Sequence, residues 1–580
     1  MSIPPTEQTV IQYVLSRLKS LGIGDVFGVP GDFVYPVCDA VIDDPQLRWI
    51  GCSNELNAAY AADGYARTRG AVALVVTYGP GELSTFCGIA GANAERCPVF
   101  LLAGMPSRTE QLSGSRLHHM ISDQPTSYDL FCKMIEPLTC GAAIITPANC
   151  VAETERLIAA ALYHRKPVYM AFPFDVPNQV LPGPVESAHQ LLSSPLSDPD
   201  ALAAAIADIV ERVSRAKKAC FLPGYLLRRY GLVAEAKALI ETSGLPFATA
   251  LQDKGVLPED HPSFVGMYLG HWGGMGADQV TEFVESCDCI IGLGPEKTEY
   301  NTAVGTARYQ LKDTVNIMPH TVRVGMAVYD NVEMKDMLLA LASRLPRRDD
   351  IERPAYVDFY GEPCGAACDE ITAGAVFYSR INRFLQPGDI VVLDVGFVAN
   401  LGGIKMKLPA GVDIETQTAW GAIGWGSAAV LGNAVAAPDR RTILISGEGG
   451  HQMTANELGT MSRYGANPII FVINNSGYLA ESATCRNPDE EYNDLAHWQY
   501  HKLPHVLGCD DWFCTRVRTV AELDAALAQA AAGVRGCYIE VVMDKYSMPV
   551  GAEWVFEMTR HKFNRAGVTW SQWKADHKQQ

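Results

Sequence analysis

The sequence predicts an α/β protein made of three doubly wound domains with mainly parallel sheets. Three observations predict it. Short apolar runs bounded by turn residues alternate with segments of helical period along the chain, the pattern of parallel strands covered by helices. Two polar, Pro-containing stretches, Pro177 to Pro199 and Leu345 to Pro363, interrupt that alternation and have the composition of exposed connections. The three blocks they leave, 1–180, 198–345 and 362–580, each have ordinary domain size.

In the first block, Thr9–Leu21 carries apolar residues at helical spacing, Val26–Val29 is a short run broken by Gly28 and Pro30, Asn54–Arg67 reads as a helix and Ala71–Thr77 as a strand. The middle block repeats the alternation with Ala219–Leu222, the helical Leu232–Ser243 and Cys289–Leu293. The third has strands at Ile390–Leu393, Thr442–Ser446, Pro468–Ile473 and Cys537–Val542. No short-period repeat is visible.

Composition narrows the function. Of 580 residues, 48% are hydrophobic, enough for large cores and against global disorder. Lys and Arg number 47 against 65 Asp and Glu, a net charge of −18, which disfavours nucleic acid and anionic membrane surfaces. No apolar stretch approaches the ~18 residues of a spanning helix, and Met1–Glu7 shows no secretory signal. The 16 cysteines lack paired metal-like spacing and sit largely among apolar neighbours, as in a reducing, cytoplasmic setting. In the middle block, Pro223-Gly224 and Gly292-Leu293-Gly294 do not complete a dinucleotide fingerprint.

The informative segment is Arg441–Glu481. A strand leads into Gly447-Glu448-Gly449-Gly450, a helical stretch over His451–Tyr464 follows, Gly465 closes it, and a second strand ends at Asn474-Asn475-Ser476-Gly477-Tyr478. In such a β-α-β unit both loops lie on one rim of a parallel sheet, where open α/β sheets bind ligands. Gly-rich backbone can approach phosphate closely. A carboxylate and an amide oxygen are hard ligands of the kind Mg²⁺ takes alongside phosphate oxygens and water. The spacing alone fits an ordinary Gly-rich turn equally well.

This segment resembles the thiamine-diphosphate signature, Gly-Asp-Gly followed some two dozen residues later by Asn-Asn. Further stretches, in order along nearly the whole chain, resemble the 2-oxo acid decarboxylases that use this cofactor, the pyruvate, indolepyruvate and phenylpyruvate decarboxylase group. They are Gly28-Val29-Pro30-Gly31-Asp32, Asn54–Arg67, Gly88-Ile89-Ala90-Gly91 with Ala94-Glu95, His118-His119, Trp420–Trp425 and Ile469–Tyr478 followed by Glu481. Three departures stand out. Glu448 replaces the family's Asp, Gly450 replaces its Ser, and Val395-Gly396-Phe397 is less polar than usual.

The resemblance implies a pyrimidine-binding domain, a central α/β domain and a diphosphate-binding domain, in that order. It implies thiamine diphosphate and Mg²⁺ as cofactors, with Glu448, Asn475 and Gly477 on the metal. It places Glu55, Gly421, Ile423, Glu448, Gly449, Gly450, Asn475 and Gly477 on the cofactor. Glu55 would activate the aminopyrimidine, Ile423 would hold the cofactor bent and Gly421 would offer its carbonyl. Asp32, Glu55, His118, His119 and Glu481 would be the catalytic set. A homodimer or homotetramer would assemble each site from two chains. The residues themselves also allow plainer roles: Glu55 as a first-turn acid favoured by the helix dipole, Asp32 as a turn residue, the His pair as a solvated loop and Ile423 as core.

Ala480, directly before Glu481, is smaller than the β-branched residue of pyruvate-restricted relatives, and Thr484 one turn on is also modest. The expected activity is therefore non-oxidative decarboxylation of a larger, aromatic or branched 2-oxo acid to an aldehyde and CO2. Pyruvate decarboxylase, a carboligase forming hydroxyketones and a non-catalytic cofactor-binding relative are the alternatives.

Overall fold

The apolar runs of the first block become a six-stranded sheet that is parallel throughout: β1 (Asp25–Gly28), β2 (Arg48–Gly51), β3 (Val72–Val76), β4 (Val99–Met105), β5 (Ala142–Ile144) and β6 (Val168–Pro173), in the order β2-β1-β3-β4-β6-β5. In β3, β4 and β6 every residue is buried, as expected of strands with helices on both faces. The computed structural model describes residues 7–121, 127–182, 195–271, 278–361, 369–533, 535–559 and 568–577. Much of the Pro177–Pro199 connection, the Pro363 end of the second connection, and Cys364 and Cys368 lie outside these residues. Among the described residues all cysteines are free, and no helix is long and apolar enough to cross a membrane.

The middle sheet has seven strands: β7 (Ala219–Pro223), β8 (Phe247–Thr249), β9 (Phe264–Met267), β10 (Cys289–Leu293), β11 (Thr314–Ile317), β12 (Thr321–Val324) and β13 (Ala327–Asp330). β11, β12 and β13 pair antiparallel. A two-residue turn with Gly325 at φ +57° joins the last two, the geometry a tight hairpin demands.

The third sheet contains β14 (Ile390–Leu393), β15 (Asp413–Thr416), β16 (Thr442–Gly447), β17 (Ile469–Asn474), β18 (Phe513–Val517) and β19 (Cys537–Val542). It too is parallel throughout, in the order β15-β14-β16-β17-β19-β18. Strand for strand this is the topology of the first sheet. This long-range repeat lives in the order of strands and crossovers, not in residue identity, so no short sequence period announces it.

The equivalent helices of the two sheets, Glu55–Arg69 and Trp425–Ala436, pack on one another. Small residues make the crossing possible. A Cβ on Gly64 would lie 2.3 Å from the Ala429 carbonyl oxygen, and one on Gly432 would lie 1.9 Å from that of Ala61. The crossing is also tied by polar contacts. Trp425 Nε1 donates to Asp63 Oδ2 at 2.7 Å, and the Arg67 guanidinium, paired with Asp63 on its own helix and with Glu95, reaches across to Glu415 of the third sheet. This desolvated network is conditional on all its members, since removing one partner of a buried pair leaves an uncompensated charge.

One helix expected from the sequence is two. The stretch His451–Tyr464 is divided between helices Glu448–Thr454 and Glu457–Arg463. The break falls where the chain meets the first domain: Asn57 Nδ2 donates to Asn456 Oδ1 and Glu457 Oε2, and Ser53 Oγ to the Asn456 carbonyl. These tertiary bonds act at a position where periodicity alone reads straight through.

Candidate active site

Adjacent strands whose connections leave in opposite directions open a crevice at their carboxyl ends. In the third sheet these are β14 and β16. The crevice there has a volume of about 330 Å³ and is walled by Val395–Phe397, Ile423, Gly447–Gly450, Asn475 and Gly477–Glu481, with Tyr492 and Asn493 at its side.

Its centre is Glu448, 1% exposed. Residues 475–477 wrap around it, with Ser476 in the left-handed region at φ +65°. This turns the N–H groups of Asn475 and Gly477 onto Glu448 Oε1, at 3.1 and 3.0 Å, a backbone nest for a carboxylate. Glu448 Oε2 is buried without a partner, and burial pushes the carboxyl up to about 7. A dry, unpaired carboxylate oxygen calls for a proton or a cation. Asn475 Nδ2 donates to the Lys545 carbonyl at 3.3 Å, which orients the amide and leaves its oxygen for another partner. A carboxylate oxygen, an amide oxygen and the Gly477 carbonyl together suit a hard cation. The residues present therefore fit a metal-bound diphosphate.

The loop beside Glu448 is glycine for steric reasons. A Cβ on Gly449 would lie 2.3 Å from the Tyr478 ring, and one on Gly450 would lie 2.8 Å from Asp394 Oδ2. Ile423 is half-buried and lines the crevice. Gly421, at φ +74°, lies two residues before it and donates its N–H to the Gln417 carbonyl at 2.9 Å; it is not part of the crevice wall. Glu481 sits exposed in the first turn of helix Leu479–Thr484, and half-buried Ala480 forms part of the wall. The Thr484 hydroxyl bonds the Ala480 carbonyl on its own helix, at 2.9 Å, and does not line the crevice.

The other expected site residues gather at the corresponding point of the first sheet, the ends of β1 and β3. His118 Nε2 is 2.7 Å from Asp32 Oδ2. Phe33 stacks on His118 at 4.8 Å and meets His119 edge-on at 5.7 Å. His119 is held in the left-handed region at φ +69° with Nδ1 buried and unpartnered. Gly79 makes room for it, since a Cβ there would lie 2.7 Å from the His119 carbonyl oxygen. Glu55 begins helix Glu55–Arg69, whose N-cap Asn54 accepts the Asn57 N–H at 2.8 Å. Its Oε1 faces the same turn, 3.5 Å from where a Cβ of Gly81 would stand.

Glu82 anchors that turn. It is fully buried, accepts the Gly79 N–H at 2.7 Å and takes the Tyr169 hydroxyl on its other oxygen. Desolvation pushes its carboxyl up to about 8. Between about pH 4.3, where an unfolded glutamate ionises, and pH 8, the unfolded chain gives up a proton that the folded chain keeps. Stability from this group is thus fully present below that window and declines through it, by about 1.4 kcal/mol per pH unit at most. Glu82→Gln carries no charge, and its oxygen can accept the Gly79 N–H while its amide N–H donates to the Tyr169 oxygen; it is expected to raise the melting temperature at pH 8 and to change it little at pH 4.5.

Three comparisons with known proteins bear on this arrangement. The family described as "Thiamine pyrophosphate enzyme, N-terminal TPP binding domain" matches residues 8–129, its central domain 206–345 and its C-terminal TPP binding domain 403–541. An alpha-keto-acid decarboxylase of Mycobacterium avium (strain 104) is 35% identical over 548 residues, covering 93% of this chain and 95% of the relative. The chain belongs to the thiamine-diphosphate-dependent 2-oxo acid decarboxylase family. Another of these decarboxylases, from Mycobacterium leprae (strain TN), is 33% identical over 562 residues and covers 95% of each chain. The fold is also that of the benzoylformate decarboxylase from Polynucleobacter necessarius, with a TM-score of 0.76, 18% identity, and coverage of 93% of this chain and all of that one.

Within the family frame, sequence reasoning missed Asp394. It is fully buried at the end of β14 and touches the Gly450 loop. The available signal was positional: an acidic residue directly after a strand on the rim that also carries Glu448 and Asn475.

Proposed function

We propose that this decarboxylase acts on a larger 2-oxo acid, aromatic or branched, and releases the aldehyde and CO2 without oxidation. The observation that carries the reading is the grouping of Glu448, Ile423, Ala480 and Glu481 around one crevice. Glu448, Asn475 and Gly477 would hold Mg²⁺, and Gly449 and Gly450 would admit the diphosphate. When bound, thiamine diphosphate supplies the electron sink that stabilises the carbanion left by CO2. Glu55 would hold a proton against the aminopyrimidine head. Ile423 narrows the middle of the crevice. Tyr478 and Phe397 cover its walls with aromatic surface and limit the entry of water. Glu481, exposed at the mouth, and the Asp32–His118 pair with His119 would hold and move the protons that decide between release and retention of the product.

We also propose that a second copy completes each site. The crevice walls come from the third domain alone, whereas Asp32, Glu55 and the His pair lie in the first. A dimer with crossed contributions, alone or paired into a tetramer, would bring the two sets together.

Ala480 sets the substrate prediction. The unmodified chain with thiamine diphosphate and Mg²⁺ is expected to give a higher kcat/KM for phenylpyruvate than for pyruvate, with free aldehyde exceeding hydroxyketone. Ala480→Ile is expected to lower the phenylpyruvate-to-pyruvate ratio by about tenfold or more, since one methylene of pocket space is worth about 10–200-fold. A far higher kcat/KM for pyruvate in the unmodified chain would remove the larger-substrate reading.

A further inference from the structure

Asp394 sits where three pieces of the crevice wall meet, and all of its side-chain bonds run to those pieces. Oδ1 accepts the N–H of Val395 at 2.9 Å and of Gly426 at 3.2 Å, and Oδ2 accepts the Ser446 hydroxyl at 2.7 Å. Val395 leads to Phe397, Gly426 opens the helix just after Ile423, and Ser446 precedes Gly447–Gly450. The sheet does not need these bonds. The β14–β16 ladder is complete through Leu393, and the Asp394 N–H extends it to the Ile445 carbonyl at 3.0 Å.

The carboxylate is also wedged between two glycines. A Cβ on Gly426 would stand 2.9 Å from Asp394 Cβ, and one on Gly450 would stand 2.8 Å from Asp394 Oδ2 and 3.2 Å from the Gly424 nitrogen. Contacts under 3.0 Å force something to shift, and here the neighbours are a buried carboxylate and backbone. Aspartate at 394 and glycine at 450 are therefore one steric solution.

We propose that Asp394 is a positioning residue for the cofactor: it sets the separation between the Ile423 turn and the Gly447–Gly450 loop, and Gly450 is glycine because the Asp394 carboxylate fills the space a side chain would take. This rests on the reading of the crevice as the thiamine diphosphate site. Shortening residue 394 loosens the two walls. Adding a side chain at 450 drives them apart. Doing both restores room, and the serine hydroxyl can then meet the N–H groups that lost their acceptor.

The test is a double-mutant cycle on the full-length, cofactor-free chain. Thiamine diphosphate with Mg²⁺ is titrated by quenching of tryptophan fluorescence, and melting is followed in parallel. Gly450→Ser and Asp394→Ala are each expected to raise the cofactor Kd by about 10–100-fold, as outer-shell changes do, with kcat at saturating cofactor much less affected. Asp394→Asn keeps the acceptor for both N–H groups and is expected to bind nearly as the unmodified chain does. The double variant is expected to bind more tightly than Gly450→Ser alone. If Asp394→Ala does not fold, Asp394→Ser takes its place in the cycle. Single variants with unchanged Kd, or a double variant whose loss is the product of the single losses, overturn the proposal while leaving the cofactor reading intact. An unmodified chain that takes up no thiamine diphosphate overturns both.

Discussion

Glu55→Gln is expected to lower turnover by about 10²–10⁴-fold, the range that a positioned acid–base group contributes, while the chain stays folded. Glutamine has the same shape and retains hydrogen bonding but cannot exchange a proton at that position. The helix it opens is held independently by the Asn54 cap and by the bonds of Ser53 and Asn57 to Asn456 and Glu457. Loss of a first-turn charge costs only about 0.3–1 kcal/mol, so melting should barely move. Turnover at saturating cofactor, compared with cofactor affinity, separates lost chemistry from lost binding. Glu448→Ala is expected to be inactive for a different reason, the loss of the carboxylate proposed to hold Mg²⁺. If Glu55 of one copy works with Glu448 of another, mixing and reassociating the two inactive variants gives dimers with one intact site, and part of the activity returns. If both residues of a site came from one chain, mixing would return none.

Gly432→Ala is expected to destabilise the fold by about 3 kcal/mol or more, the upper range for overpacking, and to lower soluble yield. The added Cβ would lie 1.9 Å from the Ala61 carbonyl oxygen and 2.7 Å from the Tyr65 nitrogen. Both are helix backbone, so neither can swing aside as a flexible side chain would. The two helices would have to separate, and separation strains the bonds between them, from Trp425 Nε1 to Asp63 and from Asn433 Nδ2 to the Gly64 carbonyl and the Thr68 hydroxyl. A urea midpoint measured beside Gly24→Ala checks this. Nothing but a carbonyl oxygen at 4.0 Å lies near a Cβ on Gly24, so that change should be nearly silent. Equal midpoints would show that the crossing tolerates expansion.

Much of this arrangement was legible before any coordinates. Four strands of the third sheet are apolar runs of the right length, each found within a residue of its expected ends, whereas the two edge strands, Asp413–Thr416 and Phe513–Val517, carry polar residues and were not expected. Asn474-Asn475 and Gly447–Gly450 fall at strand ends on one rim because parallel strands joined by crossovers leave no other place for them. What was not legible depends on distant partners. The break at Ala455 and Asn456 is made by Ser53 and Asn57, some 400 positions away in the chain. The β12–β13 hairpin has no Asn-Gly signal to announce it.

Local pattern by itself determined the α/β class, the alternation of strands with helices and the residue types at the ends of the central strands, because hydrophobic period and turn chemistry act over a few neighbours. Only the tertiary structure decided which ends converge. It showed that Glu448 offers one oxygen to a backbone nest and leaves the other bare, that the Asp394 carboxylate occupies the volume missing at Gly450, and that two glycines let the pseudo-equivalent helices touch. Those are matters of volume and of buried polar satisfaction, and they have no value until segments far apart in the chain are brought within van der Waals distance.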